Sequence, residues 1–396
     1  MIAIILAPFY ILVNLYVVRW IFRWTKTCHR HLNSKPFRVC FLTLYIFLCL
    51  SPLTSFLISR EPWHSVLKRI FNYWLGSFLY IVLIIILFDL GRLLLKHTNF
   101  ISNKTLSRRR TFVLSGGIAA CLIIGLSAYG ILHQQHIYVN HYQASVEKDG
   151  GSRKHLRIAL TADLHLGYSI GNRHIKSMVN KINQENVDLV CIAGDFFDNE
   201  YDAVQTPQKA IDLLKNIKST YGVYACWGNH DFREKLLAGF TVPSKKTNHT
   251  DERMENFLTE AGIQLLDDKA LLIDDSFYLA GRKDPQRSKK MDEERLSPDE
   301  LLSGLDKSKP ILVIDHQPKQ LQELADAGCD IDLSGHTHNG QMFPGNLTTK
   351  LMWENSWGEI KKDNMYSYVT SGVGIWGPAM RVGTDAEVMI IDVTFD

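Results

Sequence analysis

The hydrophobic residues of the chain follow two different patterns. Up to about residue 134 they form four long apolar runs bounded by charged residues, at about 2–22, 39–59, 73–95 and 112–133. A helix needs roughly 20 predominantly apolar residues to cross a bilayer. Buried helices of a soluble core are the alternative, but too little polar surface remains to cover four such runs. The pattern therefore predicts a transmembrane region over residues 1–134, whose first run lacks the basic segment of a removable signal peptide.

Short apolar runs alternate with polar clusters and helical stretches from about residue 154 onward, which is typical of an α/β domain. Residues 174–184 predict a helix. Five runs predict strands: RIALTADLH, VDLVCIAGD, YGVYACWGNHD, ILVIDHQP and DIDLSGHTHNG. We therefore expect an α/β domain over residues 154–396, joined to the transmembrane region by a linker at 135–153.

Basic residues are concentrated in two of the loops between the apolar runs. The first loop contains Arg19, Arg23, Lys26, Arg30, Lys35 and Arg38, and the third contains Arg92, Lys96, Lys104, Arg108, Arg109 and Arg110. The positive-inside rule places both loops in the cytoplasm, so the N-terminus and the α/β domain are expected on the non-cytoplasmic side. The formal net charge of +3 is too small to argue for a nucleic-acid partner.

The cysteines indicate no disulfide framework and no structural zinc site. Four of the seven lie in or beside the apolar region. Cys191, Cys226 and Cys329 lie in or near apolar strand-like runs and lack CxxC spacing, so we interpret them as small buried hydrophobic residues.

Residue types that bind metals recur where the predicted strands end. They are Asp163 and His165, then Asp195 and Asp198, then Asn229 and His230 after Gly228, then His316, and finally His336 and His338. A single Asp or His at a strand end is usually a turn or cap residue. Five clusters in order favour a different interpretation, because loops at the ends of strands gather ligands in α/β sheets.

These clusters resemble the ordered signature of the calcineurin-like metallophosphoesterase superfamily, which is DxH, GDxxD, GNHD, a lone His and GHxH. In this chain the signature reads Asp163-Leu-His165, Gly194-Asp195-Phe-Phe-Asp198, Gly228-Asn229-His230-Asp231, His316 and Gly335-His336-Thr-His338. The resemblance covers about residues 157–396. The segments GHTHNGQ and SGVGIWGPAMRVG are similar to the bacterial membrane-associated phosphodiesterase-type branch.

The resemblance implies a four-layer α/β/β/α sandwich, preceded here by about four transmembrane helices. It also implies two divalent metal ions, with Mn, Zn and Fe as the candidates. One ion would be held by Asp163, His165 and His338, and the other by Asn229, His316 and His336, with Asp195 bridging. A hydroxide between the ions would attack phosphorus, His230 would protonate the leaving group and Asp198 would orient His230.

Other polar residues in the loops favour structural roles. We expect Asp231 to be a turn residue. Arg282, Asp284, Asn339, Gln341 and Arg381 could contact a substrate phosphate, but a structural role is the preferred interpretation for each. His174 and His249 match no part of the signature, and we assign them to helix or surface positions.

The sequence thus predicts a membrane-anchored hydrolase of a phosphodiester or a phosphomonoester, which is lipid-linked or lies at the membrane surface. A protein phosphatase is an alternative, although the GHTHNGQ segment looks less like that branch. Another class of function, a membrane scaffold or sensor that uses the fold for binding, is disfavoured by the complete ligand set. A transporter is disfavoured because the apolar runs contain few ionisable residues. The substrate and the oligomeric state stay open.

Overall fold

A computed structural model describes residues 2–98, 100–234, 236–237, 240–242 and 251–396. Position 249, assigned above to the surface, lies outside these residues. The chain forms two compact units. The first contains the helices up to residue 132, together with the segments 236–242 and 377–380 as far as they are described. The second contains most of the remaining chain.

The apolar runs of the first unit are helical, as predicted. Its helices are α1 (Ile2–Cys28), α2 (Lys35–Leu57), α3 (Trp63–His97), α4 (Asn103–Leu106) and α5 (Arg109–His133). All of these except α4 are long and apolar enough to cross a membrane. Several helices extend beyond the apolar runs, because flanking residues such as Arg23 and Lys26 are also good helix formers. Apolarity alone therefore underestimates helix length.

Several polar groups between these helices are paired, whereas many apolar side chains point outward. Ile4, Leu94 and Leu132 are 70%, 66% and 67% exposed. In contrast, Oδ1 of Asn14 on α1 accepts a hydrogen bond of 2.9 Å from the hydroxyl of Tyr45 on α2. This arrangement suits a hydrocarbon solvent, in which an unpaired polar group is costly and an exposed aliphatic side chain is not.

The second unit is built from two six-stranded sheets. Its strands are β1 (Ile137–Val146), β2 (His155–Thr161), β3 (Leu189–Ala193), β4 (Val223–Cys226), β7 (Ile263–Leu265), β8 (Lys269–Ile273), β9 (Phe277–Gly281), β10 (Ile311–Ile314), β11 (Ile331–Ser334), β12 (Gly358–Lys362), β13 (Met365–Val369) and β14 (Ala386–Phe395). The short strands β5 (Leu236–Leu237) and β6 (Phe240–Thr241) belong to the first unit. The remaining helices are α6 (Asn172–Gln184), α7 (Pro207–Leu214), α8 (Glu252–Glu260), α9 (Pro285–Met291), α10 (Pro298–Leu302), α11 (Leu321–Asp326) and α12 (Gly345–Met352).

The two sheets pack face to face and carry helices on their outer faces. The strand orders are β1-β14-β2-β3-β4-β7 and β12-β13-β11-β10-β9-β8. Leu160 of the first sheet and Leu333 of the second are fully buried in one cluster between the sheets. Outside the second sheet, Leu302 and Leu324 of α10 and α11 pack with Val313, and α6 lies over β2 on the other side. The predicted four-layer α/β/β/α sandwich is confirmed.

The segment 135–153, interpreted above as a linker, contains strand β1. This strand pairs in parallel with β14 along its whole length, from Ile137 opposite Ala386 to Val146 opposite Phe395. Ile137, Ala144 and Val146 are buried by this pairing and by the sheet packing. The pattern along 135–153 did not indicate a strand, because the partner that buries these residues lies at the other end of the α/β domain.

Candidate dinuclear metal site

The candidate ligands lie in loops that follow five strands of the two sheets. The strands β2, β3 and β4 end at Thr161, Ala193 and Cys226, and β10 and β11 end at Ile314 and Ser334. Each strand is thus shorter than its apolar run suggests, and the ligand-type residues follow it. β2, β3 and β4 are mutually parallel, as are β10 and β11. Their carboxyl ends therefore gather at common sheet edges.

The backbone turns sharply at these residues. The φ angles of Asp163, His165 and Asp195 are 55°, 45° and 55°, and those of His336 and His338 are 70° and 49°. This left-handed region costs a non-glycine residue roughly 1–2 kcal/mol. Five of the ligand-type residues hold this conformation, so the surrounding structure must stabilise the turns that carry them.

The first cluster consists of Asp163, His165 and His338. The Nε2 atoms of the two histidines are 3.1 Å apart, and Oδ1 of Asp163 lies 3.4 Å from Nε2 of His338 and 3.9 Å from that of His165. All three side chains are buried. The atoms that face one another are a carboxylate oxygen and two imidazole nitrogens, which is a typical ligand set for a transition-metal ion.

The second cluster consists of Asn229, His316 and His336. Nε2 of His316 lies 3.0 Å from Oδ1 of Asn229 and 3.2 Å from Nδ1 of His336. The other ring nitrogen of His316, Nδ1, lies 2.7 Å from the carbonyl oxygen of Ala193. Because that carbonyl can only accept, Nδ1 carries the hydrogen and the Nε2 lone pair faces the cluster.

The carboxylate of Asp195 lies between the two clusters. Its Oδ2 atom is 3.2 Å from Nε2 of His316 and 3.7 Å from Nε2 of His165. Its Oδ1 atom accepts a hydrogen bond of 2.7 Å from the backbone N–H of His230. All seven ligand-type residues singled out in the sequence are thus brought together at one place in the second unit.

The chemistry of this donor set fits bound cations. No hydrogen-bond donor in the described part of the chain reaches Oδ1 of Asp163, although this oxygen is buried. Burial raises the pKa of Asp163 to about 7 and lowers that of His165 to about 3. A buried carboxylate oxygen without a donor, next to neutral imidazoles, would be stabilised by a bound metal ion.

The charge of Asp195 is stabilised by its histidine neighbours. Burial alone would raise its pKa, but attraction to His316 and His230 outweighs burial and holds the pKa well below its ordinary value. Burial likewise opposes the charged form of His316, whereas the attraction of Asp195 raises the pKa of this imidazole well above its usual value. A cation between them would take the place of the proton on His316.

Asp231 fixes the two loops that carry Asp195 and Asn229. Its Oδ2 atom accepts hydrogen bonds of 2.8 Å from the backbone N–H groups of Asp195 and Gly228, and Oδ1 accepts one of 2.9 Å from Phe197. Asp231 therefore has the structural turn role that the sequence analysis favoured. The loops approach so closely that a Cβ atom on Gly228 would lie 2.1 Å from Oδ1 of Asp195.

The side chain of His230 lies beside the clusters. Its ring centroid is 5.2 Å from that of His165, and its Nδ1 atom lies 2.6 Å from Oδ1 of Asn199. From the sequence we expect Asp198 to orient this ring; the residue found at Nδ1 is Asn199, the next one along the chain. Oδ1 of Asp198 lies 3.9 Å from Nδ1 of His165.

Two tryptophans and a lysine near the clusters were not identified as site residues from the sequence. The ring centroid of Trp376 lies 5.6 Å from that of His230, and the ring centroid of Trp353 lies 5.2 Å from that of His336. Nζ of Lys319 is 5.2 Å from the Trp353 ring. Trp376 lies in the quoted segment SGVGIWGPAMRVG, which was the only sequence signal for any of the three.

Several other loop residues have structural partners, as the sequence analysis favoured. Arg282 is fully buried and donates a hydrogen bond of 2.8 Å to Asp315. Asp284 accepts from two backbone N–H groups at the start of α9. The buried guanidinium of Arg381 donates to the carbonyl oxygens of Ser371, Gly372 and Gly374.

The sequence is similar to proteins with a metallophosphoesterase domain. A sequence model of the calcineurin-like phosphoesterase family matches residues 156–340. A transmembrane protein with metallophosphoesterase domain from Danio rerio is 30% identical over 357 residues, which cover 84% of this chain and 74% of that protein. The similarity to this relative therefore extends into the helical region.

Two bacterial relatives match the α/β domain. An uncharacterized metallophosphoesterase of Helicobacter pylori is 31% identical over 239 residues, or 59% of each chain, so the match spans about three fifths of that relative. The UDP-2,3-diacylglucosamine pyrophosphatase LpxG of Chlamydia trachomatis is 23% identical over 266 residues, which cover 56% of this chain and 78% of that protein.

Proposed function

The chain belongs to the calcineurin-like phosphoesterase family, and from this premise we propose that it is a membrane-anchored hydrolase of a phosphodiester or phosphomonoester. The observation that carries the proposal is the position of Asp195, whose Oδ2 atom lies within 3.7 Å of both His165 and His316. One carboxylate oxygen is thus placed to serve two neighbouring cation sites.

The seven clustered residues would hold two divalent cations. Asp163, His165 and His338 form one set, Asn229, His316 and His336 form the other, and Asp195 is shared. Two such ions supply Lewis acidity, which neutralises phosphate charge and makes water a stronger nucleophile near neutral pH. The oxygen and nitrogen donors suit manganese, zinc or iron.

We assign to His230 the role of protonating the leaving oxygen. Since Nδ1 faces the Oδ1 acceptor of Asn199, this nitrogen carries a hydrogen and Nε2 is available to hold the proton that the leaving group needs. The ring is further positioned by the aromatic neighbours His165 and Trp376. A proton donor in a fixed orientation typically contributes about 10²–10⁴-fold to such a reaction.

The apolar helices suggest where the substrate is found. We propose that residues 1–134 anchor the chain in a membrane, with the α/β domain on the non-cytoplasmic side. A tethered site meets lipid-borne substrate at a high effective concentration. The relative LpxG acts, by its description, on a nucleotide-linked diacylated sugar at a pyrophosphate. This supports a lipid-linked phosphoester as the substrate class.

The test uses the full-length protein in detergent or nanodiscs, stripped of metal with a chelator and reloaded with Mn²⁺, Zn²⁺ or Fe²⁺. Hydrolysis of bis-p-nitrophenyl phosphate, p-nitrophenyl phosphate and a panel of phospholipids would be measured beside metal content per chain. The variants are Asp195→Asn and His230→Ala. Asp212→Asn, which removes an exposed carboxylate of α7, is the matched control.

We expect metal-dependent turnover that Asp195→Asn abolishes together with part of the bound metal. His230→Ala should lower turnover while metal content is retained, and Asp212→Asn should resemble the wild type. Metal binding at two ions per chain without turnover of any substrate would reject the hydrolase and favour the scaffold. The ratio of diester to monoester turnover would define the substrate class.

A further inference from the structure

The helical unit contains a cavity of about 820 Å³ that is lined by residues of α1, α3 and α5 and by the segment before α5. This volume lies within the range of roughly 300–1,000 Å³ that is usual for small-molecule sites. All of its lining residues belong to the first unit. The cavity therefore shares no residue with the metal-ligating clusters.

One part of the lining is strongly cationic. It contains five basic side chains, and Asp89 is the only carboxylate among the lining residues. The five basic residues are Arg23, Arg92, Lys96, Arg108 and Arg109. The oxygens of Asp89 already accept hydrogen bonds of 2.8 Å from Tyr16 and 3.1 Å from Trp20. Five charges against one leave an excess of four positive charges around the cavity.

Two of the guanidinium groups contact the same aromatic ring, and the lining supplies one carboxylate. The guanidinium carbons of Arg23 and Arg92 each lie 5.1 Å from the centroid of the Phe112 ring. Nη2 of Arg23 is 3.7 Å from Asp89, and Nη2 of Arg92 donates to the carbonyl oxygen of Leu106 at 3.2 Å. Nε of Arg92 is buried and has no hydrogen-bond acceptor among the described residues. Like charges so arranged favour a bound anion.

Lys96 and Arg108 are available for such an anion. Both are exposed, and within the described ranges neither side chain makes a hydrogen bond or an ion pair. Arg109 differs, because it donates to the carbonyl oxygens of Thr27 and Cys28 at 2.9 and 3.0 Å and so ties α5 to the end of α1. Arg109 thus fixes the basic end of the cavity, whereas Lys96 and Arg108 keep their charged groups available for a ligand.

The other part of the lining is apolar. Ile86, Leu90 and Leu93 of α3 face the cavity and are 40%, 50% and 52% exposed. At 1.5 Å per residue, α3 rises about 15 Å between Ile86 and Lys96. The cavity therefore has an apolar wall and a basic end along one helix. The distance between them suits a lipid, whose acyl chains would lie on the apolar wall and whose headgroup would lie at the basic end.

We propose that this cavity binds an anionic membrane phospholipid, with its phosphate between Arg92, Lys96 and Arg108 and its acyl chains along α3. Free phosphate offers the same charge but leaves the apolar wall uncovered. The site is therefore assigned to the lipid rather than to the free ion.

The experiment is native mass spectrometry of the full-length protein in detergent, titrated with phosphatidylglycerol, phosphatidylcholine or inorganic phosphate. The double variant K96Q/R108Q removes two cavity charges. The control K26Q/K35Q removes two exposed charges of the first basic loop that lie outside the lining. A second pair of variants changes the shape of the cavity instead of its charge. L93W places an indole ring in the space beside the apolar wall, and its control L94W places the same ring at a neighbouring position outside the lining.

We expect retained phosphatidylglycerol in the wild type, with a weaker signal for phosphatidylcholine. K96Q/R108Q should weaken phosphatidylglycerol binding by about tenfold, as for the loss of charge-assisted hydrogen bonds. L93W should also weaken it, whereas both controls should stay near the wild type. Equal losses in K96Q/R108Q and K26Q/K35Q, equal binding of both lipids, or phosphate binding that lipid does not displace would each overturn the proposal. If K96Q/R108Q does not fold, the comparison of L93W with L94W decides.

Discussion

Nδ1 of His230 lies 2.6 Å from the side-chain oxygen of Asn199. This contact fixes the hydrogen on Nδ1 and leaves Nε2 facing away from Asn199, where a leaving oxygen would accept its proton. Removing the imidazole should therefore matter most when the leaving group is a poor one. His230→Ala should lower kcat for an alkyl phosphoester by about 10²–10⁴-fold, and for a p-nitrophenyl ester by clearly less.

Asn199→Ala should also lower kcat, because Asn199 orients the imidazole ring of His230. We expect a loss of about tenfold in kcat and little change in KM. Steady-state kinetics with the two leaving groups would check both variants, and Asp212→Asn again serves as the control. An equal loss for alkyl and p-nitrophenyl esters would rule out His230 as the proton donor.

Gly228 lies where the two ligand-bearing loops touch. A methyl group at this position would lie 2.1 Å from Oδ1 and 2.4 Å from the backbone nitrogen of Asp195. Gly228→Ala should therefore displace the shared carboxylate, reduce metal content and lower turnover by about 100-fold, which is the scale of a 1 Å misplacement. Gly304→Ala is the matched control, because no atom lies within 4 Å of its added methyl group.

Metal analysis and turnover of the two glycine variants would be compared with their thermal unfolding. Normal metal content in Gly228→Ala would show that the loops can separate without disturbing Asp195, and would contradict this account of the site.

Asp332 of β11 gives the stability of the protein a pH dependence. Burial raises the pKa of this carboxyl to about 7, although Ser367 and Ser334 donate hydrogen bonds to it. A raised pKa means that the folded state binds the proton more tightly than the unfolded state. Its contribution to stability is therefore complete below about pH 4 and is lost as the pH rises to about 7.

Asp332→Asn should remove this dependence. Between pH 4 and 7 the melting temperature of the variant should fall less, relative to its value at pH 4, than that of the wild type. Differential scanning fluorimetry of the full-length protein would measure both, with the exposed Asp299→Asn as the control. Parallel profiles for the wild type and Asp332→Asn would show that Asp332 does not titrate in this range.

The sidedness of the α/β domain is tested by C-terminal fusions in a bacterial host. Since four apolar helices precede the domain and both basic loops are assigned to the cytoplasm, a fused alkaline phosphatase should be active. A fused green fluorescent protein should stay dark. The reverse pair of results would place the domain in the cytoplasm.

Local patterns in the sequence predicted an α/β domain and the ligand-type residues, and the four-layer sandwich followed from the family resemblance. Asp163 and His165, for instance, follow an apolar run within a recognisable DxH motif. The partner of His230 depends instead on the backbone turn, since the φ angle of 62° at Asn199 redirects its side chain. The cationic cavity also needed the fold, because Arg23 lies on α1 and Arg92 on α3, and both contact the ring of Phe112 on α5.

The position of β14 has a consequence for how the protein is made. β14 lies between β1 and β2 in the first sheet, and it pairs with β1 along ten residues. β1 leaves the ribosome just after the last apolar helix, whereas its partner is synthesised about 250 residues later. The first sheet can therefore close only after residues 386–395 emerge, and until then both edges of β1 are unpaired and exposed to chaperones or aggregation.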